Sequence, residues 1–263
     1  MASRPLLMPV EDLAPAAWIV EALTGFGGRV GDVVPPVFAA YARILHRPDQ
    51  GLPDAGAASW AEVAAASGTV VHGEVQWHAI AGECDDQPLL GSLDRVTLPL
   101  LSDVLARHTT TPDSLWLGVW EGHGGQPAAW STRPRFRIPG RSLHLFEGSV
   151  AGLTETCIEL ECAGMAFPSR SRAWAVPGGR EVTDADLPAL ADQWRASGAM
   201  RSPNLWWPED RAWAVASEID FDSTVVGGSR VLVQELLATP GLEAHGVHRA
   251  SDLSAAGDTV NGT

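Results

Sequence analysis

The chain alternates short apolar runs with glycine- and proline-rich breaks, and the runs carry two periods. Behind Pro15, the residues Trp18, Ile19, Ala22 and Leu23 recur at helical spacing until Gly25 stops them, which predicts a helix over 15–24. Residues 36–46 combine aromatic and branched side chains up to Pro48 and predict a strand. Ser59-Trp60-Ala61-Glu62 has the form of a capping box, in which the Ser59 hydroxyl accepts the Glu62 N–H and the Glu62 carboxylate accepts the Ser59 N–H. It opens a short helix closed by Gly68. Residues 69–79 read as a strand that places His72, Glu74, Gln76 and His78 on one face. Residues 98–107 read as a helix with Leu98, Leu101, Val104 and Leu105 together, and LWLGVW at 115–120 as a buried strand. Residues 142–148 and the alternating TETCIELEC at 154–162 predict two more strands. The stretch 163–181 is rich in Gly, Pro, Ser and Arg and reads as a loop or linker, after which Thr183 caps a helix to about 197.

In NLWWPEDRAWAVASEIDFDSTVVGGS (204–229) an aromatic turn leads into an alternating run that predicts a central strand over about 212–222, which leaves through an acidic corner. Trp213, Val215, Ser217, Ile219 and Phe221 share one face, and Ala212, Ala214, Ala216, Glu218, Asp220 and Asp222 share the other. Ser229 then caps a helix over about 230–239, and residues 251–263 are expected to form a flexible tail. Helices and strands intersperse without βαβ regularity. The expected fold class is therefore α+β: a single domain over residues 1–250 whose largely antiparallel or mixed sheet is flanked by helices.

Composition changes the picture by exclusion. Apolar residues make up 45% of the 263 and charged residues 19%, which describes a chain that folds rather than a disordered one. A formal charge of -14 repels polyanions, so a nucleic-acid partner is not expected. All 18 basic residues are arginine. Lacking lysine, the chain has neither a Walker A loop nor a Schiff-base amine, and the bias points to a GC-rich bacterial genome. Pro5 and Pro9 interrupt the first apolar stretch before Glu11 and Asp12, and no run reaches membrane-spanning length, so neither a secretory leader nor a membrane partner is expected. Cys84, Cys157 and Cys162 lack C-x-x-C spacing and suit free thiols in a reducing cytoplasm. No cofactor is expected.

Six patterns are candidates for chemistry or binding. Glu218, Asp220 and Asp222 gather at one end of the predicted strand, where three oxygen donors suit Mg²⁺, Mn²⁺ or Ca²⁺; the alternative is a solvated strand exit. Asp220, Asp222 and Thr224 also match the D-x-D-x-T letters of haloacid-dehalogenase-type phosphotransferases, but only about 40 residues follow and the lysine of that family is missing. His72 and His78 would stand roughly 20 Å apart in a strand rising about 3.3 Å per residue, too far to share an ion. Glu121 and His123 lie on a glycine-rich turn after a buried strand, a common place for function, though a plain hairpin turn accounts for them too. Trp206 and Trp207 must point opposite ways in a strand, which leaves one of them available as a surface anchor. Between residues 133 and 180, seven arginines face four acids, a local +3 that leaves -17 elsewhere and suits a protein partner.

Taken together, FAAYARILHRP (38–48), SWAEVAAASG (59–68), LWLGVWEGHG (115–124), LHLFEG (143–148) and residues 202–229 resemble a family of acidic, Trp-rich proteins from high-GC bacteria that carries no assigned activity. The W-P-x-D-R-x-W strand running into an acidic turn and a G-G-S helix is similar to immunity proteins that neutralise toxins, including the SUKH type. The family resemblance implies one coherent fold and nothing about catalysis. With the acidity and the candidate residues above, the likeness to immunity proteins ranks first a non-catalytic cytosolic binding protein that masks a basic protein partner, with Trp206, Trp207, Glu218, Asp220, Asp222, Glu121 and His123 as binding residues. The competing expectation is a divalent-metal hydrolase built on Glu218, Asp220 and Asp222.

Overall fold

The computed structural model describes residues 7–48, 58–82, 87–123, 126–165, 200–261 and the helical position 189. Its strand-forming runs are β1 (Ala40–Leu45), β2 (Leu115–Trp120), β3 (Phe136–Ile138), β4 (Arg141–Gly148), β5 (Leu205–Pro208), β6 (Ala214–Ala216), β7 (Ser223–Gly228) and β8 (Ala244–Val247). They join in one eight-stranded sheet of order β3-β4-β2-β5-β6-β7-β1-β8, and each neighbouring pair is antiparallel. β5, β6 and β7 form a meander, while β1, distant in sequence, lies between β7 and β8 with Ala40 opposite Gly228 and Leu45 opposite Ser223.

The helices are α1 (Ala17–Ala22), α2 (Val30–Val33), α3 (Trp60–Ser67), α4 (Trp77–Ala81), α5 (Thr97–Ala106), α6 (Ala128–Ser131), α7 (Leu153–Met165) and α8 (Arg230–Ala238). The period-2 alternation sends Ala42, Ile44, Leu117, Phe146, Trp206, Val215 and Val226 to one face, where they meet the apolar stripes of α5, α7 and α8. Tyr41, Leu143, Leu145, Leu205, Trp207, Ala214, Ala216 and Val225 take the other face, against α1, α2 and Leu253. A smaller core joins α3 to α4 around Trp60 and Trp77, whose rings stand 4.9 Å apart edge to face. The fold is therefore α+β, an antiparallel sheet with helices on both faces.

Several expected elements form as read. The capping box closes in both directions, with Glu62 N–H on Ser59 Oγ at 3.2 Å and Ser59 N–H on Glu62 Oε2 at 2.8 Å, and Gly68 ends α3 in the left-handed region at φ 72°. Ser229 caps α8 by accepting the Leu232 N–H at 3.1 Å.

Other expectations are corrected. Residues 69–79 form no strand: the buried Arg43 takes the carbonyls of Gly73 at 3.2 Å and Val75 at 2.6 Å, so a side chain satisfies a bend that then enters α4. Residues 154–162 are helical, because Leu153, Cys157 and Leu160 recur at i, i+4 and i+7 and all three are buried. The central strand expected over about 212–222 shortens to β6, with β5 and β7 as separate strands on either side. A turn with Arg211 N–H on Pro208 O at 2.9 Å, and φ 56° at Arg211, separates β5 from β6. A second turn, with Phe221 N–H on Glu218 O at 3.0 Å, separates β6 from β7.

Of the loop or linker expected over 163–181, residues 163–165 instead finish α7; the rest, and the helix capped by Thr183, lie outside the described residues. Residues 251–261 run along the molecule with Leu253 buried, Asp258 accepting the Gln76 N–H at 3.3 Å, and Asn261 bonded to both the N–H and the carbonyl of Val70. Among the described residues, no helix is long and apolar enough to cross a membrane.

Candidate binding cleft

Three glycines, Gly25, Gly27 and Gly140, shape the cleft. After α1 the chain runs through Thr24-Gly25-Phe26-Gly27-Gly28, and this loop is tied down where the Leu253 N–H meets Gly28 O at 2.7 Å and the Val30 N–H meets Ser251 O at 3.0 Å. A Cβ at Gly25 would collide with Asp32 Oδ1, and one at Gly27 would lie 2.8 Å from Asp32 Oδ2. Glycine at both positions therefore lets the Asp32 carboxylate sit against the backbone that flanks Phe26. Across the cleft Gly140 turns β3 into β4 at φ 72°, and a Cβ there would run into the Phe26 ring.

That turn delivers Arg141, the first residue of β4. Its guanidinium lies 4.9 Å from the Phe26 ring centroid and 5.4 Å from that of Trp120, cation–π geometry on two sides. Its Nη2 donates to Glu218 and, at 3.3 Å, to Asp220 Oδ2; Nη1 donates to Gly140 O at 3.2 Å, and the buried Nε–H has no acceptor among the described residues. Around this group opens a cavity of about 220 Å³ lined by Phe26, Asp32, Trp120, Arg141, Asn204, Glu218 and Asp220, with Ile138, Ile219 and Phe221 completing an apolar wall.

Asn204 sets the polar end. Its Nδ2 donates to Ser217 O at 3.2 Å and its Oδ1 accepts the Trp120 N–H at 2.9 Å, so Oδ1 also faces His123 Nε2 at 3.1 Å and that nitrogen must carry the proton. The His123 ring stands 5.3 Å from Trp120, edge to face. Burial, then the positive charge of Arg201, pushes the His123 pKa down to about 4 against the opposing pull of the Asn204 hydrogen bond, so the ring is neutral near pH 7.

The structure sorts the candidates read from the sequence. Glu218 and Asp220 converge on Arg141 at the cleft, and His123 reaches it through Asn204 and Trp120. Asp222 parts from the other two acids: its Oδ1 receives Nη2 of the buried Arg43 at 2.8 Å, behind the turn. The expected trio of carboxylates is thus divided, and among the described residues no group of three His, Cys, Asp or Glu side chains is placed to hold a metal ion. Glu121 pairs with Arg135 rather than lining the cavity.

Trp206 and Trp207 do point opposite ways, yet both are buried, Trp206 against Trp213 at 5.3 Å and Trp207 between Trp18 at 6.0 Å and Phe136 at 6.1 Å, so neither is a surface anchor. The sheet is covered on both faces, which leaves no side of a central strand open.

Phe26, Asp32, Trp120, Arg141 and Asn204 were not singled out by sequence. An aromatic between glycines, as in Gly25-Phe26-Gly27-Gly28, was the available signal. No protein-family model, curated protein or solved structure matches the chain.

Proposed function

We propose that the protein is a non-catalytic binding protein that masks a basic protein partner, in the manner of an immunity protein, through the cleft around Arg141. The observation that carries the reading is the lining: three carboxylates, Asp32, Glu218 and Asp220, and two aromatic walls, Phe26 and Trp120, stand against a single basic residue. Arg141 already takes up Glu218 and the inner ring faces, so a further cation would be drawn by Asp32, the exposed side of Phe26 and the largely solvent-facing Asp220. Size supports a macromolecular partner, since about 220 Å³ falls below the roughly 300–1,000 Å³ of small-molecule sites and suits one side chain presented by something larger. The formal charge of -14 adds long-range steering of a basic surface.

The test is calorimetric titration with an N-acetylated peptide of alternating arginine, lysine and glycine. A double variant, Asp32→Asn with Asp220→Asn, is expected to weaken binding about ten-fold or more, roughly 1.4 kcal/mol. A control with the same loss of charge at exposed sites, Asp103→Asn with Glu147→Gln, keeps nearly full affinity. Equal losses in both variants show diffuse attraction alone and overturn the cleft.

A further inference from the structure

We infer that the group the cleft receives is one arginine side chain of the partner, chosen over lysine, with Asp32 as its carboxylate and the outer side of Phe26 as its stacking surface. This inference rests on the binding reading above. Glu218 and Asp220 are engaged by Arg141, whereas Asp32 has no basic partner among the described residues. Asp32 lies against Gly25 and Gly27, the two neighbours of Phe26, so a carboxylate and an aromatic ring stand side by side. Phe26 is 59% exposed although its ring also covers Arg141, which leaves a large apolar surface open to solvent beside an unpaired charge.

Arg141 shows within the molecule what such a pairing holds: a planar guanidinium laid on aromatic rings while its nitrogens meet carboxylates. A guanidinium stacks on a ring and forks onto a carboxylate at the same time; an ammonium is a compact, strongly hydrated charge that gains less from a flat wall. The apolar rim of Ile138, Ile219 and Phe221 accommodates the methylene stem.

Three tripeptide amides, N-acetyl-Gly-X-Gly with X as arginine, lysine or citrulline, distinguish the outcomes when titrated into the full chain by NMR. The expected result is arginine tighter than lysine by about five-fold or more, no measurable binding of citrulline, and a loss of about ten-fold for arginine in Asp32→Asn and in Phe26→Leu, both checked for an unchanged Tm. Lysine binding as tightly as arginine, or full affinity in Asp32→Asn, overturns this inference while leaving a basic partner intact. Failure of all three tripeptides together with the longer basic peptide overturns both readings.

Discussion

At the scale of single residues, Asp222 separates what patterning groups from what geometry uses. In a strand, positions 218, 220 and 222 share a face by the two-residue period, and that is why the three acids looked like one site. The turn over Glu218–Phe221 ends the alternation, so Asp222 faces Arg43, which is 0% exposed and also donates to Ser223 Oγ at 2.7 Å. Burial pushes the Arg43 pKa down and Asp222 pulls it back, which is the mark of a buried cation that depends on its counter-ion. Asp222→Ala strands that cation, and urea denaturation should show a loss of about 3–5 kcal/mol with basic-peptide affinity unchanged in the folded fraction. Lost affinity at full stability would instead return Asp222 to the binding surface.

At the scale of elements, local chemistry was legible wherever it closed on itself. The Ser59–Glu62 box, the Ser229 cap and the apolar face of α5 depend on residues within a few positions of one another, and each forms as read. What failed needed long-range partners. TETCIELEC satisfies both an alternating and a helical template, and the apolar stripe of Leu153, Cys157 and Leu160 against the sheet decides for the helix. Residues 69–79 look strand-like in isolation, but Arg43, from β1, holds their carbonyls.

The cleft was illegible for the same reason. Phe26 meets Arg141 across more than a hundred residues of sequence, and only the missing Cβ at Gly140 permits the approach. Gly140→Ala is therefore expected to cost about 1–2 kcal/mol for its left-handed backbone alone, with a further loss as Phe26 is displaced, read by chemical denaturation and by a shift in tryptophan emission from Trp120. Unchanged stability and emission would contradict the packed contact.

At the scale of the whole molecule, acidity and buried histidine act together. His46, His123, His144 and His245 all have lowered pKa values, in each case chiefly through burial. The unfolded chain takes up protons on these rings near pH 6.5 while the folded chain resists until lower pH, about 4 for His123, so the unfolded state binds more protons across that window. Stability is thus fully present above about pH 6.5 and is lost as pH falls toward 4. Calorimetric Tm should decline over that range, and His123→Gln should flatten part of the slope; a flat wild-type profile would contradict the burial of these rings.

The fold class was legible at this scale too, because interspersed short helices and alternating runs admit few arrangements beyond α+β. The strand order was not, since nothing local in residues 40–45 places them between β7 and β8. The central claim is that one cleft, rather than the acidic surface at large, receives a basic partner. The measurement that tests it most directly is the ¹H–¹⁵N spectrum recorded through the titration with the basic peptide. The account predicts shifts concentrated at Phe26, Gly27, Gly28, Asp32, Ser254 and the Trp120 indole; shifts spread evenly over the acidic surface, or gathered elsewhere, would contradict it.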